Sequence, residues 1–204
     1  MADQRDPSAP APTTARLEAF SDGVFAVAAT LLVLNLGLHG VGTLAQQLGR
    51  EWPHFATYVV SFLTIGIIWM NHHTQFDRIA VADRTLTVLN LFLLMFVTLI
   101  PFPTGLLASH LTGPDRHVAA AVYAGTLLGM STAFFATYLW AAHRRLFGAW
   151  IAERHVGYLL RRNVAGLGVY VVAIGVAFLN ADVSLALCGL VALYYLHPGR
   201  RLEA

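Results

Sequence analysis

Ser21 and Asp22 place a hydroxyl and a carboxylate inside the first long apolar stretch of this chain of 204 residues. Trp69, His72 and His73 lie near the end of the second such stretch. A charge in apolar surroundings costs several kcal/mol unless it is paired or hydrated, so Asp22 requires polar partners. Carboxylates and imidazoles bind metal ions, relay protons or tie helices together, and each of these chemistries has to be weighed.

Helical spacing separates the three chemistries. Neighbouring helix residues diverge by about 100°, so at most one of His72 and His73 can join Asp22 in a compact site, and we expect no bound metal. A proton relay through Asp22 and His73 is an alternative. A structural network also satisfies these groups, since Trp69, His72, His73 and Phe76 share one helix face. We predict such a network, whose members are Arg16, Ser21, Asp22, Trp69, Asn71 and His73.

The first apolar stretch also carries a stripe of apolar side chains. At about 100° per residue, Val27, Leu31 and Leu34 lie on one line with Thr30 beside them, whereas Asp22 lies about 140° away from Val27. Such a stripe contacts lipid or the bundle core in most membrane helices. A ring of apolar side chains around a symmetry axis can instead form a pore constriction that gates by dewetting. The spacing agrees with both interpretations.

The elements that position these residues are membrane-spanning helices. Hydrophobic side chains make up 57% of the chain and charged ones only 12%, against about a quarter in soluble domains. A span needs about 20 mostly apolar residues. The hydropathy therefore predicts an all-α integral membrane protein with one six-helix domain, 16–204, after a flexible cytoplasmic tail at residues 1–15. The predicted spans are 17–38, 54–76, 84–108, 116–142, 158–180 and 182–198.

The distribution of arginine, which supplies all thirteen basic residues, predicts the orientation. Eleven of the thirteen lie in the tail, the second-to-third loop, the fourth-to-fifth connection or the C-terminal end, and only Arg50 and Arg116 lie on the opposite side. By the positive-inside rule both termini are cytoplasmic, in agreement with an even number of spans. We interpret the arginines as topological, rather than as lipid-binding or nucleic-acid-binding groups.

Three motifs resemble those of the TMEM175 family of potassium channels. The first, similar to the family's Arg-x-x-x-Phe-Ser-Asp motif, consists of Arg16, Phe20, Ser21 and Asp22. The second is similar to the family's Trp-x-Asn-His-His segment and runs from Trp69 to His73. The third resembles its Asn-Leu and Pro-Phe-Pro-Thr elements and comprises Asn90 with Pro101-Phe102-Pro103-Thr104. The prolines remove backbone donors and are expected to bend or end the third helix.

The resemblance implies a homotetramer of six-span subunits that conducts potassium passively, with the first helix of each subunit lining a central pore. In the family's pattern Val27 takes the position of the main constriction, Leu31 and Leu34 form the next layers, and Thr30 supplies a pore-lining hydroxyl. Valine departs from the commoner leucine or isoleucine, so the narrowest point lies at Val27 or Leu31. Phe20 belongs with the structural network through its place in the motif.

The resemblance also implies the surroundings of the protein. We expect a multi-pass protein of the prokaryotic inner membrane whose partners are copies of itself, the lipid bilayer and potassium ions. No P-loop or catalytic pattern is evident in the sequence, so we expect no enzyme activity, no cofactor and no nucleic acid. The alternative is a proton-coupled secondary transporter that uses Asp22 and His73 as coupling residues.

Overall fold

The computed structural model describes residues 14–37, 42–149, 151 and 153–196, and the predicted all-α class is confirmed over these ranges. This part of the chain contains eight α-helices: α1 Ala15–Leu31, α2 Leu44–Arg50, α3 Trp52–Phe76, α4 Arg84–Leu99, α5 Pro101–His110, α6 Arg116–His143, α7 Glu153–Ala177 and α8 Ala181–Leu196. Residues 1–13 of the predicted tail lie outside the described ranges, and α1 begins at Ala15.

Five helical segments of the described chain are long and apolar enough to cross a membrane. They are Ala15–Asn35, Trp52–Phe76, Arg84–His110, Arg116–His143 and Val156–Ala177, and they correspond to the first five predicted spans. The sixth predicted span coincides with α8, which is apolar but has only 16 residues. At about 1.5 Å per residue α8 rises about 24 Å, less than the hydrocarbon thickness of about 30 Å.

The third span is broken where the prolines predict it. α4 ends at Leu99 and α5 begins at Pro101, because proline cannot donate the backbone hydrogen bond that would continue α4. The carbonyl of Pro101 accepts a hydrogen bond of 2.9 Å from Nδ2 of Asn35. Asn35 closes a 3-10 turn, Leu32–Asn35, that tightens the end of α1. The first and third spans are therefore tied together at this end.

α6 forms the centre of the protomer, where it packs against α4, α5, α7 and α8. Small buried side chains allow these close approaches, which is typical of helix packing in lipid. They include Ala119, Ala120, Ala124, Ala133 and Ala141. α1 lies at the edge of this arrangement and packs mainly against α3 and α4. One face of α1 is thereby left at the surface of the protomer.

Candidate functional site

α1 has one buried face and one exposed face. The buried side chains are Ser21, Phe25 and Ala28, followed by Leu32 of the 3-10 turn, and they are spaced by four, three and four residues as expected for a single helix face. The ring of Phe25 lies 5.3 Å from the imidazole of His72 on α3, measured between centroids. This face fixes α1 to the rest of the protomer.

The residues predicted to form the constriction lie on the exposed face. The exposed fraction is 54% for Val27, 39% for Leu31 and 75% for Leu34 in the single protomer. Phe20, on the same line of the helix, is 55% exposed. Residues three apart eclipse in a 3-10 turn, so Leu34 lies above Leu31 along the helix axis. The result is a continuous apolar stripe on a surface that the protomer itself does not cover.

Thr30 lies beside this stripe and is also exposed. Its Oγ1 donates a hydrogen bond of 2.9 Å to the carbonyl of Val27. A hydroxyl has one donor and two acceptor lone pairs. The hydroxyl proton of Thr30 points to the backbone carbonyl of Val27. The oxygen lone pairs therefore point away from the backbone and can contact a cation.

Asp22 is linked to the second span through Trp69. The indole Nε1 of Trp69 donates a hydrogen bond of 2.8 Å to Oδ1 of Asp22. The imidazole of His73 stacks on the same indole, with ring centroids 6.2 Å apart and an interplanar angle of 21°. The structure thus brings these three predicted network residues together, although no hydrogen bond between Asp22 and His73 is present among the described residues.

A chain of buried hydrogen bonds begins at Ser21, the residue that precedes Asp22. Nδ2 of Asn90 on α4 donates to Oγ of Ser21 at 2.9 Å, and Oδ1 of Asn90 lies 2.9 Å from Nε2 of His72. Ser21 in turn donates to the carbonyl of Leu17 at 2.7 Å. All three polar side chains are buried. The chain joins α1, α3 and α4, and His72 and Asn90 were not among the predicted network residues.

The remaining predicted network residues lie elsewhere. Nδ2 of Asn71 donates to the carbonyls of Ile67, at 2.7 Å, and Tyr195 on α8, at 3.1 Å. Asn71 is two residues from Trp69, or about 200° around α3, so it faces a different neighbour. Arg16 is exposed at the start of α1, and within the described ranges no hydrogen bond joins it to Asp22. The observed arrangement therefore differs from the single network that the sequence predicts.

One group of potential metal ligands lies near His73. Ligand atoms of Glu18, His73 and Asp77 all lie within 4.8 Å of one another. His73 and Asp77 are exposed, and their Nε2 and Oδ2 atoms are 3.8 Å apart. Exposed acidic groups commonly gather without an ion. The group is chemically able to hold a divalent cation but lacks the enclosure of a structural metal site.

Comparisons with known proteins agree with this arrangement. The sequence model of the family described as endosomal/lysosomal potassium channel TMEM175 matches residues 16–101. A potassium channel of Streptomyces collinus is 46% identical over 188 residues, which are 88% of this chain and 90% of that protein. An endosomal/lysosomal proton channel TMEM175 of Bos taurus is 40% identical over 97 residues, which are 42% of this chain and 20% of that protein.

A solved structure extends the similarity to the fold. The crystal structure of a lysosomal potassium-selective channel TMEM175 homolog from Chamaesiphon minutus superposes with a TM-score of 0.81 at 37% identity. The match covers 89% of this chain and 95% of that one. The superposed part of the chain includes helices after residue 101, where the match to the family model ends. The chain is a multi-pass membrane protein that belongs to the TMEM175 family.

Proposed function

We propose that this protein is a potassium-permeable channel of the prokaryotic inner membrane, built from four copies of the chain. In this proposal α1 of each copy lines a central pore. The observation that carries it is the exposed stripe of Val27, Leu31 and Leu34 on a helix whose opposite face is buried. The similarity to a potassium channel of Streptomyces collinus over nearly the whole chain supports the same assignment.

The stripe has the chemistry of a hydrophobic constriction. Four copies of Val27, Leu31 and Leu34 around one axis would form stacked apolar rings that strip water from an ion and gate by dewetting. Such rings supply no carbonyl cage to replace the hydration shell, so the selectivity for potassium over sodium is expected to be modest. The Thr30 hydroxyl, exposed next to the stripe, offers oxygen lone pairs to the permeant ion.

The proposed topology has six spans with both termini in the cytoplasm. α8 supplies the sixth span, and its short length is compatible with crossing because local thinning of the bilayer accommodates a short helix at modest cost. The excess of arginine on the side of the termini supports this orientation. The ends of α3 and α6, and the beginning of α7, then face the cytoplasm.

The geometry supports proton-coupled transport less well. A relay needs groups that both accept and release protons in hydrogen-bond contact. Asp22 instead accepts a hydrogen bond from the indole of Trp69, which is a donor only, and His73 stacks on the indole ring. The described contacts thus fit a structural role for Asp22 and Trp69 in holding α1.

Flux through liposomes tests the proposal. Purified protein is reconstituted with a potassium gradient, and the entry of thallium or potassium is followed without a proton gradient. Leu31→Ala should raise sodium permeation relative to potassium, because it widens the constriction. Leu91→Ala on α4 is a matched control, since Leu91 is 46% exposed but lies outside the stripe. Light scattering gives the mass of the assembly, which should equal four chains.

Three results would count against the proposal. Flux that appears only with an imposed proton gradient would favour coupled transport. If Leu31→Ala and Val27→Ala had the same selectivity for potassium over sodium as the wild type, α1 would not line the pore. A stable assembly of fewer than four chains that conducts would contradict the fourfold pore.

A further inference from the structure

A cavity of about 240 Å³ lies between α3, α5, α6 and α8. Its wall comes from the first halves of α3, α6 and α8 and from the end of α5. The larger apolar side chains that line it are Val60, Leu107, Leu111, Leu127 and Leu185. Ala56 and Val60 on α3 are exposed, so the cavity can be reached from the surface of the protomer.

The size and the charge of the cavity limit the ligand that it can take. An apolar cavity of about 150 Å³ holds one benzene molecule, so 240 Å³ admits a ring with a short alkyl group. Of the described residues that line the cavity, none is charged, which favours a neutral ligand. Gly189 adds space, because a Cβ at this position would meet no atom within 4 Å. It shares one face of α8 with Leu185 and Cys188, which also line the cavity.

Two hydroxyl groups of the cavity wall are in contact with each other. Oη of Tyr123 on α6 lies 3.3 Å from Oγ of Ser61 on α3, which is longer than the usual distance of about 2.7–2.8 Å for such bonds. Thr64, also in the wall, directs its one proton to the carbonyl of Val60 at 2.8 Å. Tyr123 therefore accepts at most one hydrogen bond from the described residues, and at least one of its two lone pairs is left for a donor in the cavity.

We propose that this cavity binds one small neutral molecule with an apolar body and a single hydroxyl group, of the phenol or medium-chain alkanol class. The hydroxyl donates to Tyr123, and the apolar body contacts the leucine side chains of the wall. The alkyl chain of a lipid shares the apolar chemistry but has no proton for Tyr123, so it matches the wall less completely. The inference uses only the membrane placement of the chain and does not depend on potassium conduction.

Equilibrium dialysis of the full chain in lipid nanodiscs tests this binding. Radiolabelled 4-ethylphenol is compared with 4-ethyltoluene, which has a similar shape but no hydroxyl group. The partition of each compound into protein-free nanodiscs is measured and subtracted. 4-Ethylphenol should show one saturable site per chain. Relative to its partition into lipid, 4-ethyltoluene should bind about two- to tenfold more weakly, because it cannot donate the hydrogen bond to Tyr123.

Two variants locate the bound molecule. Tyr123→Phe should weaken the binding of 4-ethylphenol about two- to tenfold and leave that of 4-ethyltoluene unchanged. Gly189→Leu fills the cavity and should remove the saturable binding of both compounds. Gly175→Leu on α7 is the matched control and should bind normally. A Cβ at Gly175 also meets open space, but this residue is not part of the cavity lining.

Binding of 4-ethylphenol that never exceeds its partition into protein-free nanodiscs overturns the proposal. Equal saturable binding by Gly189→Leu and the wild type does so as well. Equal relative binding of the two compounds to the wild type shows that any apolar occupant, such as a lipid chain, suffices, and overturns the assignment of a hydroxyl ligand. The comparison of the compounds on the wild type decides the question even where a variant fails to fold.

Discussion

Asn90→Ala is the change that best tests how α1 is held. It removes the bond of Asn90 to Ser21 and the bond to His72, both 2.9 Å long and buried. A buried polar group without a partner costs about 1–3 kcal/mol, which here applies to Nε2 of His72. Ser21 still donates to the carbonyl of Leu17, so its loss is only about 0.5–1 kcal/mol. The expected loss of unfolding free energy is therefore about 1.5–4 kcal/mol.

This loss is measurable as a change in the unfolding midpoint. For a chain of this size 1 kcal/mol corresponds to about 2–4 °C, so Asn90→Ala should lower the midpoint by roughly 3–16 °C. Unfolding is followed in detergent by circular dichroism. Thr98→Ala is the control, because Thr98 is exposed on the same helix. Among the described groups, its hydroxyl donates a hydrogen bond only to the backbone carbonyl of Met95 on that helix. Its effect should stay within about 0.5 kcal/mol.

A double-variant cycle checks the reasoning. Ser21→Ala alone should cost about 1–3 kcal/mol, since it leaves the buried Nδ2 of Asn90 without its acceptor. Because the two residues share one bond, Ser21→Ala/Asn90→Ala should cost less than the sum of the single changes. A midpoint for Asn90→Ala equal to that of Thr98→Ala, or strictly additive changes, would refute the role assigned to this buried chain.

Three further changes test other contacts. Trp69→Phe removes the hydrogen bond to Asp22 and should cost about 0.5–1.5 kcal/mol in unfolding free energy, less than Asn90→Ala, because Asp22 is exposed. A midpoint change as large as that of Asn90→Ala would contradict this ranking. Gly105→Ala places a Cβ 2.7 Å from Oδ1 of Asn35, so the end of α1 should exchange its amide hydrogens faster. Unchanged amide exchange at the end of α1 would show that the Asn35 side chain moves to make room for the new Cβ. Thr30→Val should reduce potassium flux in liposomes while Thr30→Ser retains it, and equal flux would exclude the hydroxyl from the conduction path.

The first five spans and the third-helix break could be predicted because both depend on local composition. Apolar length and the proline at position 101 act without reference to the rest of the fold. The 3-10 turn at Leu32–Asn35 could not be predicted in this way. Asn35 is drawn toward the carbonyl of Pro101, which lies 66 residues away in sequence, so the tightening depends on tertiary contact.

The partners of the polar residues were less predictable than their positions. Asp22 and Trp69 are joined by a hydrogen bond, since both lie toward the same end of their spans. The second span has two adjacent histidines, His72 and His73. The rotation of α3 about its axis determines that His72, rather than His73, reaches Asn90. A single asparagine within the third apolar stretch was the available signal, because such a residue requires a partner inside the bundle. The sequence does not specify which helix supplies it.

The polar contacts of α1 also determine which residues can line the proposed pore. Ser21 and Asp22 are adjacent and therefore about 100° apart on the helix, and they bond to different neighbours, Asn90 on α4 and Trp69 on α3. Two bonds in different directions fix the rotation of α1 about its axis. Bringing a residue adjacent to Val27 to the position of Val27 on the stripe would require a rotation of about 100°, which would break both bonds. The apolar stripe thus keeps its register because Ser21 and Asp22 hold α1, although neither of them belongs to the stripe.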